Sequence, residues 1–498
     1  MMRVNTLIVV ATAMLSACVV GPDYRKPDIT TPAAYSAMNA LPETSANESE
    51  ADLDAWWMQF HDSELDTLID RAMHGNLELQ TAVSRIREAR EQTIVAGAAA
   101  LPAVNADADV NHTRLSQNSG LSQLASQLGG GASSGQGGAQ AGGGHAGGGF
   151  ALPGGGFTSY TVGFDASWEI DVFGGVRRSI EAAQARAERA LWESRDSAVS
   201  VSAEIASDYF MLRAVQRQIS ITHDQIERQQ QSLALIDARH KQGFVSELDV
   251  HQQRAQLASI EASLPALDAQ AAAQIHALGA LLGEQPDALQ AELAPAHALQ
   301  SVDLRVPVGL PADLLRRRPD IRAAERALAA SNADIGVAIA DLFPKFNLSG
   351  MFDFVSLDVR NLLDSASRQY GGTAAISWPI FDGNRIRANV HIREEQNRQA
   401  LYAYRNAVIR ALQDVEDALT RYADERKRND ALRKTLAEAQ NAADIARAQY
   451  RAGLVDFTPV LTAQGTLLDT QNQLAQSDGS LDRNLVSVYK ALGGGWKE

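Results

Sequence analysis

The stretch YTVGFDASWEIDVFGGVR, residues 160–177, decides the fold of this chain. Apolar residues alternate with polar or very small ones over Tyr160–Ile170, which predicts a strand with one apolar face. The pair Gly174-Gly175 then predicts a sharp corner. A long run of helix-forming residues begins at Arg177. We therefore expect a strand that turns directly into a long helix.

The features of this stretch return in the same order about 210 residues later. The matched segments are Trp168-Glu169-Ile170 and Trp378-Pro379-Ile380, Phe173–Arg177 and Phe381–Arg385, and Gln242–Val245 and Ala452–Val455. One such match arises easily by chance, but a strand, a glycine corner, a long helix and a glycine tip in the same order do not. A period this long predicts two duplicated halves, residues 56–310 and 311–498, and not a short solenoid repeat.

Each half contains two strand candidates with period-two alternation. They are residues 103–113 and 158–172 in the first half, and 345–355 and 371–381 in the second. The alternation fits a membrane β-barrel with lipid outside and water inside, and equally an ordinary half-buried soluble sheet. Strands of about ten residues, together with a secretory signal at the N-terminus, favour the membrane.

Four strands cannot close a barrel, because the smallest barrels have about eight. The sheet edges must then pair with other copies of the chain. Two copies would supply about eight strands and fill the interior with side chains, whereas about twelve strands from three copies leave a lumen. If the protein is a channel, a trimer is expected.

Two long helical hairpins are predicted, over residues 174–283 and 384–492. No proline occurs in Arg177–Lys241 or in Arg385–Arg451, and each run corresponds to roughly 100 Å of helix at about 1.5 Å per residue. The returning helix of the first hairpin should be broken near Pro265. A further helix is expected over about 63–100.

The N-terminus has the pattern of a bacterial lipoprotein signal. Arg3 precedes the short apolar run Leu7–Leu15, and Leu15-Ser16-Ala17-Cys18 resembles a lipobox. Residues 1–17 would be a signal peptide, and Cys18 would carry diacylglycerol and an N-acyl chain at the start of a tether, residues 18–55, with little structure. The alternative is an ordinary signal peptide with a chance cysteine. Val19, in place of aspartate, resembles lipoproteins sorted to the outer membrane.

The rest of the composition excludes several functions. The net charge of −15 disfavours nucleic-acid binding. No catalytic constellation, P-loop or set of metal ligands is recognisable, so we expect no enzyme activity and no cofactor, and the energy for transport must come from a partner. The Gly-rich segment of about 120–156 is predicted to be a flexible loop at the outer mouth.

Three groups of residues carry a resemblance to a known family. They are Trp56-Trp57 with Phe60, Asp62, Leu65 and Asn76-Leu77; Gly21-Pro22-Asp23-Tyr24; and Arg317-Arg318-Pro319-Asp320-Ile321-Arg322-Ala323-Ala324-Glu325. On these residues the chain resembles the outer-membrane factors of tripartite efflux pumps, the TolC-like family, and within it the OprM/NodT-type lipoproteins.

The resemblance implies a mainly α-helical homotrimer with a twelve-stranded β-barrel in the Gram-negative outer membrane. The barrel would continue into a long periplasmic α-helical barrel with an equatorial segment. The implied partners are a periplasmic adaptor protein, an inner-membrane RND transporter and outer-membrane lipid. The implied function is a passive conduit that exports small molecules such as drugs and toxic compounds.

Site residues are implied by the resemblance alone. The adaptor-docking tips would be Gly243, Phe244 and Val245 with Gly453, Leu454 and Val455. Asp249 and Tyr450 match positions that form a gate hydrogen bond between neighbouring helices. Thr462 stands where the family has a constricting aspartate, so the gate departs from the family pattern there; Asp456 and Asp469 are the nearby carboxylates.

The sequence is also compatible with two other functions. A type I conduit, which exports protein with an ABC transporter, would have the same fold. A lipid-anchored periplasmic scaffold of helical hairpins would have no pore and would tolerate charges on the apolar face of Tyr160–Ile170. In such systems the transporter usually selects the exported substrate.

Overall fold

The structure is a computed structural model that describes residues 19–37, 51–114, 116, 156–297 and 311–496. The signal peptide, Cys18 and nearly all of the predicted Gly-rich loop lie outside the described residues. No helix in the described part of the chain is long and apolar enough to cross a membrane.

The described elements alternate between helices and strands twice. In chain order they are α1 (Ala51–Asp54), α2 (Ser63–Gly75), α3 (Leu77–Ala98), β1 (Ala103–Arg114), β2 (Gly156–Ile170), α4 (Gly175–Lys241), α5 (Glu247–Leu281), α6 (Gln290–Leu293), α7 (Leu314–Arg317), α8 (Pro319–Ala340), β3 (Lys345–Ser356), β4 (Arg368–Ser377), α9 (Arg385–Arg451) and α10 (Thr458–Ala491). Short 3-10 turns lie at Trp56–Phe60, Pro311–Asp313, Val359–Asn361 and Ser365–Ser367.

The chain divides into two compact units, and each draws on both halves of the sequence. The sheet unit contains the described residues up to Pro22, Ile94–Glu181 and Ala333–Arg393. The helical unit contains the described residues of Asp23–Thr93, Ala182–Asn332 and Glu394–Glu498. The compact units are therefore not the two sequence halves, because strands and helices from each half separate into different units.

The sheet unit holds one antiparallel sheet in the order β1-β2-β3-β4. Phe164 lies opposite Phe352, and Trp168 lies opposite Leu348. Opposite residues of an antiparallel pair point to the same side, so the apolar positions of these strands share one face. Within the described residues, β1 and β4 each have a neighbour on one side only.

Equivalent tryptophans fix the start of each strand pair. The indole Nε1 of Trp168 donates to the carbonyl oxygen of Ala100 at 3.0 Å, and that of Trp378 donates to the carbonyl oxygen of Leu342 at 3.0 Å. Trp378 itself lies outside β4, which ends at Ser377 and not near residue 381 as predicted. Pro379 explains the early end, because proline has no N–H for the ladder.

The two long helices have the same length. Helices α4 and α9 each contain 67 residues, which corresponds to about 100 Å. The predicted break at Pro265 is wrong, since Pro265 lies inside the continuous helix α5. Ile260 and Ile275 are buried on either side of it, and their packing offsets the hydrogen bond that the proline removes.

The predicted helix over 63–100 is interrupted at Asn76. The Oδ1 atom of Asn76 accepts hydrogen bonds from the backbone N–H groups of Glu78 and Leu79, at 2.9 and 3.0 Å, and so caps α3. Its Nδ2 donates to the carbonyl oxygen of Leu281 at 2.7 Å. The interruption is thus fixed by a tertiary contact with the end of α5.

The core of the helical unit is built around Trp56. Its ring is fully buried and stacks on Tyr489, with ring centroids 5.2 Å apart. Apolar residues of α2, α4, α5, α9 and α10 surround it, including Leu65, Phe210, Ile275, Val408 and Leu485. A core assembled from both hairpins holds them in one unit.

The N-terminal segment is irregular but fixed. Tyr35 is buried, and the backbone N–H groups of Ser36 and Ala37 donate to the Glu416 carboxylate at 2.6 and 2.9 Å. Residues 19–37 of the predicted tether contain no strand or α-helix, but they are held by tertiary contacts, and helix α1 (Ala51–Asp54) lies within the range predicted for the tether.

Candidate functional site

The two hairpins end in the same turn. The N–H of Gly243 donates to the carbonyl oxygen of His240 at 2.8 Å, and the N–H of Phe244 donates to that of Arg239 at 3.0 Å. Gly453 and Leu454 make the matching bonds to Tyr450 and Gln449, both at 3.0 Å. This is the Schellman arrangement, which needs a left-handed residue after the helix. Gly243 and Gly453 supply it, with φ of 78° and 72°.

Each turn presents one apolar side chain outward and one inward. Phe244 is 77% exposed and Leu454 is 75% exposed. Val245 and Val455 are half-buried against an apolar cluster behind the turns. Of the six predicted docking residues, Phe244 and Leu454 are therefore the ones with a large free apolar surface, while the glycines shape the turns and the valines close their inner side.

We name the apolar group behind the turns the tip cluster. Its buried members are Ile236, Val250, Ala446, Tyr450, Phe457 and Val460. These residues come from both hairpins, and Tyr450 packs on Phe457 with ring centroids 5.1 Å apart. The two tips are thus fastened side by side by one small core.

Asp249 and Tyr450 lie near each other without a hydrogen bond between them. Asp249 belongs to the cap of α5, where its Oδ2 accepts from the backbone N–H of Ser246 at 3.2 Å. The buried Tyr450 hydroxyl makes no hydrogen bond of ordinary geometry within the described part of the chain. Burial raises the pKa of Tyr450; the charge of Asp249 acts in the same direction and that of Arg239 against it.

Arg239 is not among the site residues predicted from the sequence, although it contacts the same tyrosine. Its guanidinium lies 5.5 Å from the centroid of the Tyr450 ring, and its Nη2 donates to the carbonyl oxygen of Arg451 at 3.2 Å. It therefore joins the end of α4 to the end of α9. No local pattern marks such a residue, because arginine is common on exposed helix faces.

Thr462 is exposed on α10 and is satisfied locally. Its Oγ1 donates to the carbonyl oxygen of Thr458 at 3.1 Å, one turn earlier. Asp456 lies in the turn before α10, and Asp469 lies further along the same helix; both are exposed. Within one chain, the structure brings neither carboxylate to the position of Thr462.

The segment 317–325, noted in the sequence, forms a charge network in the helical unit. Arg317 pairs with Asp54 at 2.9 Å. Arg318 binds both carboxylate oxygens of Asp320, at 3.0 and 2.8 Å, contacts Asp414 at 3.0 Å, and donates to the carbonyl oxygen of Ala491 at 3.1 Å. The arginines thereby fasten α1, α9 and the end of α10 together.

Glu325 ends this segment as a buried carboxylate with three partners. Tyr24 donates to it at 3.2 Å, Arg326 at 2.7 Å, and Lys26 lies 3.5 Å away. Burial alone would raise the pKa of Glu325, but Arg326, Lys26 and Tyr24 together hold it below its usual range. Glu325, which belongs to the segment that resembles a family signature, thus has a structural role: it binds the N-terminal segment through Tyr24 and Lys26.

The described residues contain no group of three or more histidine, cysteine, aspartate or glutamate side chains placed to hold a metal ion. The tips are distinguished by their matching turns and by the exposed side chains of Phe244 and Leu454.

Comparisons with known proteins agree with this geometry. The family model of the outer membrane efflux protein matches residues 68–284 and 310–494. The chain is 31% identical to the pyoverdine export outer membrane protein OpmQ of Pseudomonas putida, over 89% of this chain and 88% of that protein. It is 28% identical to the cation efflux system protein CusC of Escherichia coli K12, over 97% of each.

A solved structure of the outer-membrane channel OprN superposes with a TM-score of 0.84 at 33% identity, covering 96% of this chain and 100% of that one. These comparisons confirm the predicted fold class, which is mainly helical with antiparallel strands.

Proposed function

Because this chain belongs to the outer membrane efflux protein family, it is an outer-membrane channel component of a Gram-negative efflux system, and we propose that three copies form one passive conduit for small molecules. Members of the family are channels and not enzymes, and they work with adaptors and inner-membrane transporters. The observation that carries the proposal is the four-stranded sheet, whose two edge strands have no partner within the described chain.

The sheet supports assembly from several copies. An exposed strand edge has a row of unpaired backbone groups, which natural proteins cover or pair. Pairing β1 of one copy with β4 of the next would remove both edges. Three copies would then close about twelve strands into a barrel wide enough for a lumen. The apolar side chains Phe164 and Phe352, which are opposite one another and exposed in one chain, would face lipid.

The helices support a long tunnel. Helix α4 runs from Gly175 to Lys241, and helix α9 runs from Arg385 to Arg451. The starts of the two helices are 210 residues apart in the sequence, and so are their ends. This spacing supports the duplication of residues 56–310 in 311–498. In three copies, the long helices α4 and α9, together with the shorter α5 and α10, would form a tunnel whose depth is set by the long pair at about 100 Å.

The lipid anchor is proposed from the lipobox and from the contacts of the residues just after it. The N–H of Val20 donates to the carbonyl oxygen of Phe173 at 3.0 Å, and Arg178 donates to the carbonyl oxygens of Val20 and Gly21 at 3.2 and 3.3 Å. These bonds hold the chain just after Cys18 beside the corner at the end of β2. Acyl chains on Cys18 would therefore start near the end of the strands and enter the adjacent leaflet.

The tips are the proposed docking site for a periplasmic adaptor that bridges to an RND-type transporter. The support is the pair Phe244 and Leu454, which an adaptor would cover. Asp249 and Tyr450 are proposed to hold the tunnel closed. The buried Tyr450 hydroxyl needs an acceptor, and a carboxylate on a neighbouring helix of the assembly would supply one.

The relatives support small-molecule cargo. At similar identity, OpmQ is named for pyoverdine and CusC for cations, so channels of this type conduct cargo of different chemistry. Selection of the cargo by a transporter is a property separate from its conduction by the channel.

Deletion of the gene and recordings from purified protein in planar bilayers test the proposal together. We expect the deletion to raise susceptibility to a panel of drugs, dyes and solvents, and purified Asp249→Ala/Tyr450→Phe protein to conduct more than wild type. Loss of a secreted protein with unchanged susceptibility would indicate a type I conduit. The absence of conductance from wild type and variant alike would leave the scaffold and contradict the proposal.

A further inference from the structure

Three buried glutamines join the hairpins behind the tip cluster. Gln253 is fully buried, Gln229 is 1% exposed, and Gln464 is 8% exposed. They lie on α5, α4 and α10 respectively. A buried amide is costly unless its groups find partners, so three of them at one place require an explanation beyond packing.

The three amides form a connected set of hydrogen bonds. The Nε2 of Gln253 donates to the backbone carbonyl of Gln229 at 3.0 Å and to its side-chain oxygen at 2.5 Å. The Nε2 of Gln229 then donates to the Oε1 of Gln464 at 3.1 Å. The first two bonds lie within the first hairpin, and the third connects that hairpin to the second.

The repeat shows that this polar arrangement is not required to build a hairpin. Ala439 and Ala463 stand 210 residues after Gln229 and Gln253. In the second hairpin these alanines pack with Ala443 and Leu467 in a small apolar cluster. The same crossing of helices is therefore built once with hydrogen bonds and once with small apolar side chains.

The location places the bond between Gln229 and Gln464 close to the proposed gate. Gln464 lies one helical turn from Val460 of the tip cluster and two residues from Thr462. If the second hairpin moves away from the first, this bond breaks and leaves two buried amide groups unpaired. Such a loss costs more than that of an exposed hydrogen bond, which water replaces.

We propose that the hydrogen bond between Gln229 and Gln464 is a second latch on the closed end of the channel, which must break before the two hairpins of a protomer can separate. The bonds between Gln253 and Gln229 use the oxygens of Gln229 and lie within the first hairpin, so they do not join the two hairpins. The inference rests on the proposed conduit and adds to the gate residues Asp249 and Tyr450 a buried contact that does not face solvent.

Substitution tests the latch by its effect on opening. Gln464→Leu removes the acceptor and puts an apolar side chain of similar size in its place. We expect it to raise the open fraction in planar bilayers about fivefold, the factor that corresponds to about 1 kcal/mol for one hydrogen bond. Gln253→Leu is the control, since it leaves the bond between the hairpins in place; it should lower thermal stability without a comparable rise in opening.

Cross-linking separates a latch from a general packing effect. Cys18 is the only cysteine in the sequence, so cysteine pairs can be introduced at Gln229 and Gln464, or at Gln229 and Gln253. In the Asp249→Ala/Tyr450→Phe background, a short bis-maleimide is added while the channel opens, and mass spectrometry checks that both cysteines have reacted. The link should abolish the added conductance of the first pair and leave that of the second unchanged. The single variant Gln229→Cys, treated in the same way, controls for the reagent.

The outcomes distinguish the latch from the conduit itself. If the two cross-links act alike, or if neither lowers conductance, the latch is wrong while the conduit stands. If no variant conducts before cross-linking, the proposed conduit is overturned and the latch with it.

Discussion

The two hairpins share a turn and differ in what lies behind it. Gly243 and Gly453 adopt the same left-handed conformation with the same pair of backbone hydrogen bonds. Behind them, Gln229 and Gln253 hydrogen-bond in the first hairpin, whereas Ala439 and Ala463 pack in the second. The two hairpins thus share the local geometry of the tip, while the contacts between their helices differ.

The tip cluster shows the same divergence in size. Val250 and Val460 occupy matched positions, but Ile236 is matched by the much smaller Ala446. The second hairpin nevertheless contributes four of the six buried members, including the rings of Tyr450 and Phe457, and so supplies most of the shared core.

The largest effect on the stability of the tips is expected for Ile236→Ala. It removes a fully buried side chain from the core that both tips share, and such truncations cost about 2–5 kcal/mol. We expect faster hydrogen exchange at both tips and a lower thermal midpoint in detergent. Ile445→Ala, at an exposed position on α9, is the control and should change neither. Faster exchange at the first tip alone would contradict a shared core.

The second-largest effect is expected in the second hairpin, where the stability should depend on pH. Burial, with the charge of Asp478 adding to it, raises the pKa of Asp482 to about 7 from its ordinary 3.8. Because the folded protein holds this proton more tightly than the unfolded chain, stability should fall as the pH rises from about 4 to 7 and stay lower above that range.

Asp482→Asn should flatten this pH dependence in thermal unfolding experiments. The first hairpin has Ala272 at the matched position, so it contributes no equivalent group. Asp469→Asn, an exposed carboxylate on the same helix, is the matched control. An unchanged pH dependence in Asp482→Asn protein would show that this carboxylate is not the cause.

Valine at either tip glycine should destabilise the protein by similar amounts. Both glycines have φ near +75° and open space around the missing Cβ atom. The expected cost is therefore conformational, about 1–3 kcal/mol for a bulky residue, and asparagine should be tolerated better. A cost at one tip only, measured by thermal unfolding, would show that the turns are not equivalent.

The smallest effect on stability is expected for Phe244→Ser and Leu454→Ser. Both side chains project into solvent, so unfolding should change by less than about 0.5 kcal/mol. Binding of the adaptor, measured by surface plasmon resonance with the purified partner, should weaken in both. Met58→Ser, at an exposed apolar residue away from the tips, provides the control. Unchanged affinity in both tip variants would remove the tips as the docking site.

What the sequence reveals depends on whether a feature is local. The alternation of Tyr160–Ile170 and the proline-free runs of α4 and α9 are local, and the corresponding strands and helices are present in the structure. The resemblance to the outer-membrane factors, and with it the channel function and location, is confirmed by the family model.

Features that depend on distant contacts were not predictable. The interruption at Asn76 depends on Leu281, and the continuity of α5 through Pro265 depends on packing along its length. The glutamines of the latch look like ordinary solvent-exposed helix residues in the sequence, because their partners lie on other helices. For the same reason, Arg318 could be recognised only as part of a signature and not as a contact of Asp414 and Ala491.

The number of chains in one particle tests the central claim most directly. Native mass spectrometry of the protein purified in detergent counts the copies without assumptions about conductance. Three chains per particle are expected, because β1 and β4 of one chain must pair with those of two neighbours to enclose a lumen. A stable particle of one or two chains would contradict the conduit.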